Sequence, residues 1–208
     1  MKQLVINADD FFLSSIFNEV ILECISKGIV SATSAMVDRY NDTHAEQIKS
    51  LKESGAAIGL HIEFASNEDF DAQILQQYER FKELFEQEPS HIDMHKHEYR
   101  DEGYPCIMEF AALRDIPYRH SLENAGPGKT TTRQSFSGIS NSSDKIAIWI
   151  QDFEDGESGE LVMHPGSFDP NCKTSLNYER EVEVTKCRLA ARVANELGIE
   201  ITNLSQLA

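Results

Sequence analysis

Short apolar runs alternate with helical periods along the 208 residues, and this alternation limits the fold more than any other feature. Strand-like segments lie at 4–8, 31–37, 56–64, 91–97, 116–120, 160–166 and 200–204. Helical periods run over 14–27, 43–53, 69–86, 178–197 and from Pro105 to Arg114. In the first helix Ile16, Val20, Ile21, Cys24 and Ile25 share a face that stops at Gly28. In the third, Phe70, Ile74, Tyr78, Phe81, Leu84 and Phe85 recur at helical spacing. Strands separated by helices pair in parallel and must be covered by those helices. A closed barrel and an open doubly wound sheet both satisfy that rule. Residues 144–152 fit a strand or a helix. Residues 121–143 carry Gly, Ser, Thr and Asn without a period and are expected to form a partly mobile wall of a substrate groove.

Charge narrows the partners. Nineteen basic against 35 acidic residues give a net charge of −16, which argues against duplex nucleic acid and anionic membrane surfaces. A neutral or cationic small molecule meets no such repulsion. MKQLVINADD lacks the long apolar stretch of a signal peptide, and no run of 18 apolar residues occurs. Cys24, Cys106, Cys172 and Cys187 form no CxxC pair, as expected for reduced thiols in a cytoplasmic protein. Neither GxGxxG nor GxxxxGK[ST] is present, so no nucleotide motif supports a cofactor site.

Chemistry-bearing residues collect at strand ends. Asp9 and Asp10 follow the first strand, where βα folds build active sites; a solvated turn is the plainer alternative. His61 lies in AIGLHIEF, where a lone imidazole is more often a hydrogen-bonded core residue, and Glu63 is two residues on. The segment His91-Ile-Asp93-Met-His95-Lys-His97 shifts that balance. Strand alternation puts its three imidazoles and its carboxylate on one face, which suits a polar barrel lumen or a divalent metal site. His164 precedes a Pro-Gly turn and fits a general acid or base, or a surface residue. Arg119 in IPYRH reads by itself as a surface ion pair.

The pieces VINADDFFLS (5–14), Asn18, GIVSATSAMV (28–37), AIGLH (57–61), Gln77 with RF and LF, PSHIDMHKH (89–97), IPYR (116–119) and ELVMHPG (160–166) resemble, in this order, the YdjC-like carbohydrate deacetylases. That resemblance implies an α/β fold: one (β/α) barrel-like domain over 1–208, TIM-like and irregular, with fewer than eight complete units. It implies metal-dependent removal of an acetyl group from an N-acetylated sugar or short oligosaccharide. Asp10, His61 and His95 match the metal ligands, Asp9 the general base and His164 the general acid. Arg119 matches an arginine that orients a carboxylate, and Asp93 and His97 match supporting residues on the inner face. One divalent ion is expected, magnesium or zinc first, cobalt or manganese next. The partner expected is a small-molecule carbohydrate, with no nucleic acid and no membrane; a homodimer is left open.

The chain also departs from the family pattern. Phe12 stands where Gly usually follows NADDF, and Lys96 and Tyr99 replace histidines of an HHHxH run. Glu63 replaces an uncharged residue, and the stretch from His61 to His91 is short. These departures bear on the substrate. Two other readings stay open: a metal-dependent hydrolase of another bond, such as a phosphoester or other amide, and an inactive carbohydrate-binding relative. Acetate against phosphate release separates the first, and retention of Asp9 and His164 speaks against the second.

Overall fold

A computed structural model describes residues 1–96, 98–120 and 126–204. Among the described residues seven strands, all paired in parallel, form one sheet: β1 (Gln3–Phe11), β2 (Ala32–Ala35), β3 (Ala57–Ile62), β4 (Ile92–Met94), β5 (Gln134–Ser137), β6 (Ser158–Met163) and β7 (Glu200–Ile201). The order is β4-β3-β2-β1-β6-β5, with β7 paired to the start of β1. Beyond β4, isolated bridges join Ile92 to Tyr118 and Tyr118 to Thr130, leading towards β5. The sheet thus curls into a partial (β/α) barrel, as the family resemblance implied, rather than an open doubly wound sheet. Six α-helices among the described residues cover it: α1 (Ser15–Ser26), α2 (Ala45–Glu53), α3 (Phe70–Phe85), α4 (Arg100–Leu113), α5 (Ser143–Gln151) and α6 (Arg180–Glu196). None of the described helices is long and apolar enough to cross a membrane.

Strand alternation sorts side chains to two sides. Leu4, Ile6, Ala8, Ile58, Leu60, Ile62, Ile92, Leu161 and Met163 belong to the large apolar core beneath the helices. The opposite parity builds the lumen in layers, as in other βα barrels. Its floor is a small apolar cluster of Val5, Ala32, Ala57 and Leu204. Asn7, Ser34, His91 and Glu160 come next, all buried, and Asp9, His61 and Asp93 continue the same faces upward. Gly59 has a steric reason: a Cβ there would sit 2.2 Å from Cε1 of His91.

Several boundaries differ from the sequence expectations. The expected strand 91–97 pairs only over Ile92–Met94, because Lys96 turns left-handed (φ 62°) and ends the extended run. His97, expected on the same inner face, lies outside the described residues. Segment 116–120 contributes the single bridging residue Tyr118. Within 121–143, Gln134–Ser137 pairs with β6 as a strand; residues 121–125 lie outside the description. QSFS shows neither alternation nor a β-branched residue, so nothing local announces it. Residues 144–152 are helical: Ser142 caps α5 through its hydroxyl, and Ile146 and Ile150, four apart, are buried. Pro105 sits inside α4 rather than opening it, and the helix already starts at Arg100.

Candidate functional site

At the carboxyl end of the strands the backbone of β1 does something alternation does not allow. Consecutive strand residues should point to opposite faces, so Asp9 and Asp10 should separate. The register of β1 on β2 shifts between Ala8 and Phe11, and Asp10 adopts φ 70°. Asp tolerates that left-handed conformation better than most residues. Both carboxylates therefore line one cleft of about 530 Å³, together with His61, Asp93, His95, Arg119 and His164. Phe12 holds φ 80°, which explains why glycine would suit this position. Its ring is buried against Phe11, Tyr40, His44 and Phe85, and its N–H donates to Asn18 Oδ1 at 2.8 Å.

Three donor atoms converge. Asp10 Oδ1 lies 3.3 Å from His61 Nε2 and 3.0 Å from His95 Nδ1, and the two ring nitrogens are 3.2 Å apart. Ligands about 2.1 Å from one ion, at angles between octahedral and tetrahedral, are separated by about 3.0–3.4 Å. Asp10 Oδ1 is also buried, with no hydrogen bond of good geometry among the described residues. A buried carboxylate oxygen in that condition is costly, and a cation would satisfy it. The residues therefore fit a single divalent ion, and Asp10, His61 and His95 could hold one.

The surroundings fix those donors. His61 Nδ1 is 2.6 Å from Asp93 Oδ1, so the ring presents Nε2 to the triangle in the carboxylate–histidine arrangement of metal sites. Burial disfavours the imidazolium, but Asp93, Asp9 and Asp10 outweigh it and push the His61 pKa up to about 10. An ion would compete with that proton for Nε2. The other Asp93 oxygen accepts from Ser34 Oγ at 2.7 Å and pairs with Arg119 at 2.5 Å. Burial would raise the Asp93 pKa, yet Arg119 and His61 hold it well below the usual carboxylate range. Asp10 is likewise held low: His61 and His95 overcome its burial.

Arg119 is no surface ion pair. It forks onto Asp9 through NH1 and NH2 at 2.8 and 2.7 Å and donates from Nε to Glu160 at 2.8 Å. Burial opposes its charge, but Asp9, Asp93 and Glu160 keep it protonated. Asp9 Oδ1 also accepts from Asn7 at 2.7 Å, leaving Oδ2 the less engaged oxygen, 4.0 Å from His61 Nε2 and 3.9 Å from His164 Nε2. His164 follows β6, and burial lowers its pKa against the raising pull of Asp10 and Asp9. Glu63 stays apart, held by Arg39 through contacts of 2.7 and 2.8 Å.

The structure thus brings Asp9, Asp10, His61, His95, Arg119 and His164 into one cleft. Sequence reasoning missed Asn7, Ser34, Glu160 and Arg180. Asn7 shares the parity of Asp9, and Glu160 that of His164, so alternation could have found both. Arg180 opens α6, donates from NH2 to Asp10 Oδ2 at 2.5 Å, and had no signal in a helix read for its apolar face.

Comparison with known proteins agrees with this architecture. A sequence model described as YdjC-like protein matches residues 3–73. A carbohydrate deacetylase of Clostridium beijerinckii is 27% identical, the alignment covering 99% of this chain and 100% of that protein. A chitooligosaccharide deacetylase of Escherichia fergusonii is 28% identical over 84% of this chain and 85% of its own. A crystal structure from Enterococcus faecalis V583, provisionally described as a cellobiose-phosphate cleavage protein, superposes with a TM-score of 0.78. It is 19% identical and covers 100% of this chain and 99% of its own. These matches agree with the YdjC-like resemblance read from the motifs. The Clostridium alignment spans 249 positions against 208 residues here, so at least 41 of them are gaps in this chain.

Proposed function

We propose that this chain is a metal-dependent carbohydrate deacetylase, hydrolysing the acetamide of an N-acetylated sugar or short oligosaccharide. One observation carries the reading: the Asp10–His61–His95 donor triangle lies beside the Arg119-held Asp9 and beside His164 in one cleft. The names of the two relatives supply the bond and the substrate class. Two imidazoles with one carboxylate suit zinc, cobalt or manganese better than magnesium, which favours oxygen ligands.

A divalent ion bound there would acidify a water and polarise the amide carbonyl. Asp9 takes the proton of the attacking water at Oδ2, its less engaged oxygen. Arg119 holds that carboxylate in one orientation through two parallel hydrogen bonds. The water oxygen bonds to the carbonyl carbon and the carbon–nitrogen bond breaks. His164 Nε2 gives the nitrogen its proton, and acetate and a free sugar amine leave.

The roles separate by variant. Asp9→Asn and His164→Ala should take up metal as the wild type does and lose about 10²–10⁴-fold in acetate release. Either variant retaining turnover within threefold would remove its residue from proton transfer. Phosphate rather than acetate release from a substrate panel would favour hydrolysis of a phosphoester.

A further inference from the structure

Arg180 is fully buried, and no role in the site is yet assigned to it. Its NH2 donates to Asp10 Oδ2, the oxygen that faces away from the donor triangle. Its guanidinium lies 3.9 Å from the ring centre of Phe17, and its Nε and NH1 have no hydrogen-bond partner among the described residues. The side chain therefore makes one strong polar contact, against an aromatic wall. Its surroundings are shaped for it: a Cβ on Gly166 would sit 3.0 Å from Arg180 Cδ, and the Gly166 N–H donates to the Arg180 carbonyl at 3.4 Å.

We propose that Arg180 is a positioning residue that fixes the Asp10 carboxylate for monodentate metal ligation, an inference that rests on the metal-site reading above. Asp10, one residue before the end of β1, holds a left-handed conformation, where the backbone sets its direction but not the twist of its carboxylate. The guanidinium engages Oδ2 and leaves Oδ1 as the oxygen 3.3 and 3.0 Å from the two imidazoles. A carboxylate without that partner could turn both oxygens onto the ion and change its coordination geometry. The same turn of α6 carries Glu183, whose Oε2 accepts the His164 backbone N–H at 3.4 Å. One helix end therefore indexes a metal ligand and the candidate acid together. Arginine suits the place because its flat cation stays charged and lies against an aromatic ring, which a lysine ammonium does less well.

The test is cobalt binding to metal-stripped full-length protein, by calorimetry and by the visible spectrum of the bound ion. Arg180→Met keeps the stem and loses the guanidinium. It is expected to bind cobalt about 10–100-fold more weakly, as for other groups that orient a ligand, with an altered visible spectrum. Arg180→Lys is expected to recover part of the affinity. Circular dichroism in EDTA reports whether each variant folds; if the Met variant does not, Arg180→Lys carries the test, with at least fivefold weaker binding expected. Cobalt affinity and spectrum equal to wild type in the folded variant would overturn the role of Arg180 and leave the metal site standing. A wild type that binds no cobalt, zinc or manganese would overturn the metal-site reading and this inference with it.

Discussion

Asp93→Asn probes the support of the site most sharply, because the change alters charge and scarcely alters shape. Asp93 is wholly buried and meets His61 Nδ1 at 2.6 Å, Ser34 Oγ at 2.7 Å and Arg119 at 2.5 Å. All three can donate to it. An asparagine keeps one acceptor oxygen and turns an NH2 towards a donor. Removing one partner of a buried ion pair costs about 3–5 kcal/mol when the other is left uncompensated. Arg119 keeps Asp9 and Glu160, so the lower end, about 3 kcal/mol, is expected. For a chain of this size each kcal/mol shifts Tm by about 2–4 °C, giving a fall of about 6–12 °C. The pH dependence has a definite sign. The folded pKa of Asp93 is depressed, so its charge stabilises the fold above the unfolded value of about 3.9 and ceases to do so as pH falls through the lower folded value. Thermal melts in EDTA at pH 7 should show the full deficit, and melts stepped below pH 4 should show it shrinking. Cobalt affinity should fall about 10–100-fold, because His61 loses the partner that orients it. A Tm loss under 2 °C at pH 7, or a deficit unchanged at pH 3, would refute the reasoning.

Phe12→Gly sets backbone strain against packing. Glycine relieves about 1–3 kcal/mol at φ 80°, but the buried ring is worth about 3–5 kcal/mol, so a net loss of about 2 kcal/mol is expected in urea titration; a more stable variant would contradict it. Burial lowers the His91 pKa, so His91 is neutral in the fold, bonded to Ser34 Oγ at 3.0 Å and Ser90 Oγ at 2.9 Å. Its contribution is complete above about pH 6.5 and is lost as pH falls through the lower folded value, so His91→Gln should lose less Tm than wild type between pH 7 and 5; parallel curves would count against it.

Much of the site could be read from the chain. Strand parity puts Asp93 on one face with His91, and the structure's β3–β4 register then pairs Asp93 directly with His61. Sequence pattern could not show that Asp9 and Asp10 reach the same cleft, because that depends on a register shift and a positive φ, which alternation does not encode. Parity places His95 on a strand face, yet it reaches the triangle from beyond the strand end. Arg119 looked like a surface cation until three carboxylates from β1, β4 and β6 met around it. Arg180 was invisible for a related reason: its partner lies 170 residues away, and a helix is read by its apolar period rather than by one buried charge.

The central claim is tested most directly by acetate release from di-N-acetylchitobiose, using metal-stripped protein and then protein reloaded with zinc, cobalt, manganese or magnesium. The account predicts no acetate from the stripped protein, acetate on reloading, and none from reloaded Asp10→Ala. Stoichiometric metal uptake without acetate from this or any other N-acetylated saccharide would contradict the proposed deacetylation. Equal acetate release from stripped and reloaded protein would contradict the role given to Asp10, His61 and His95.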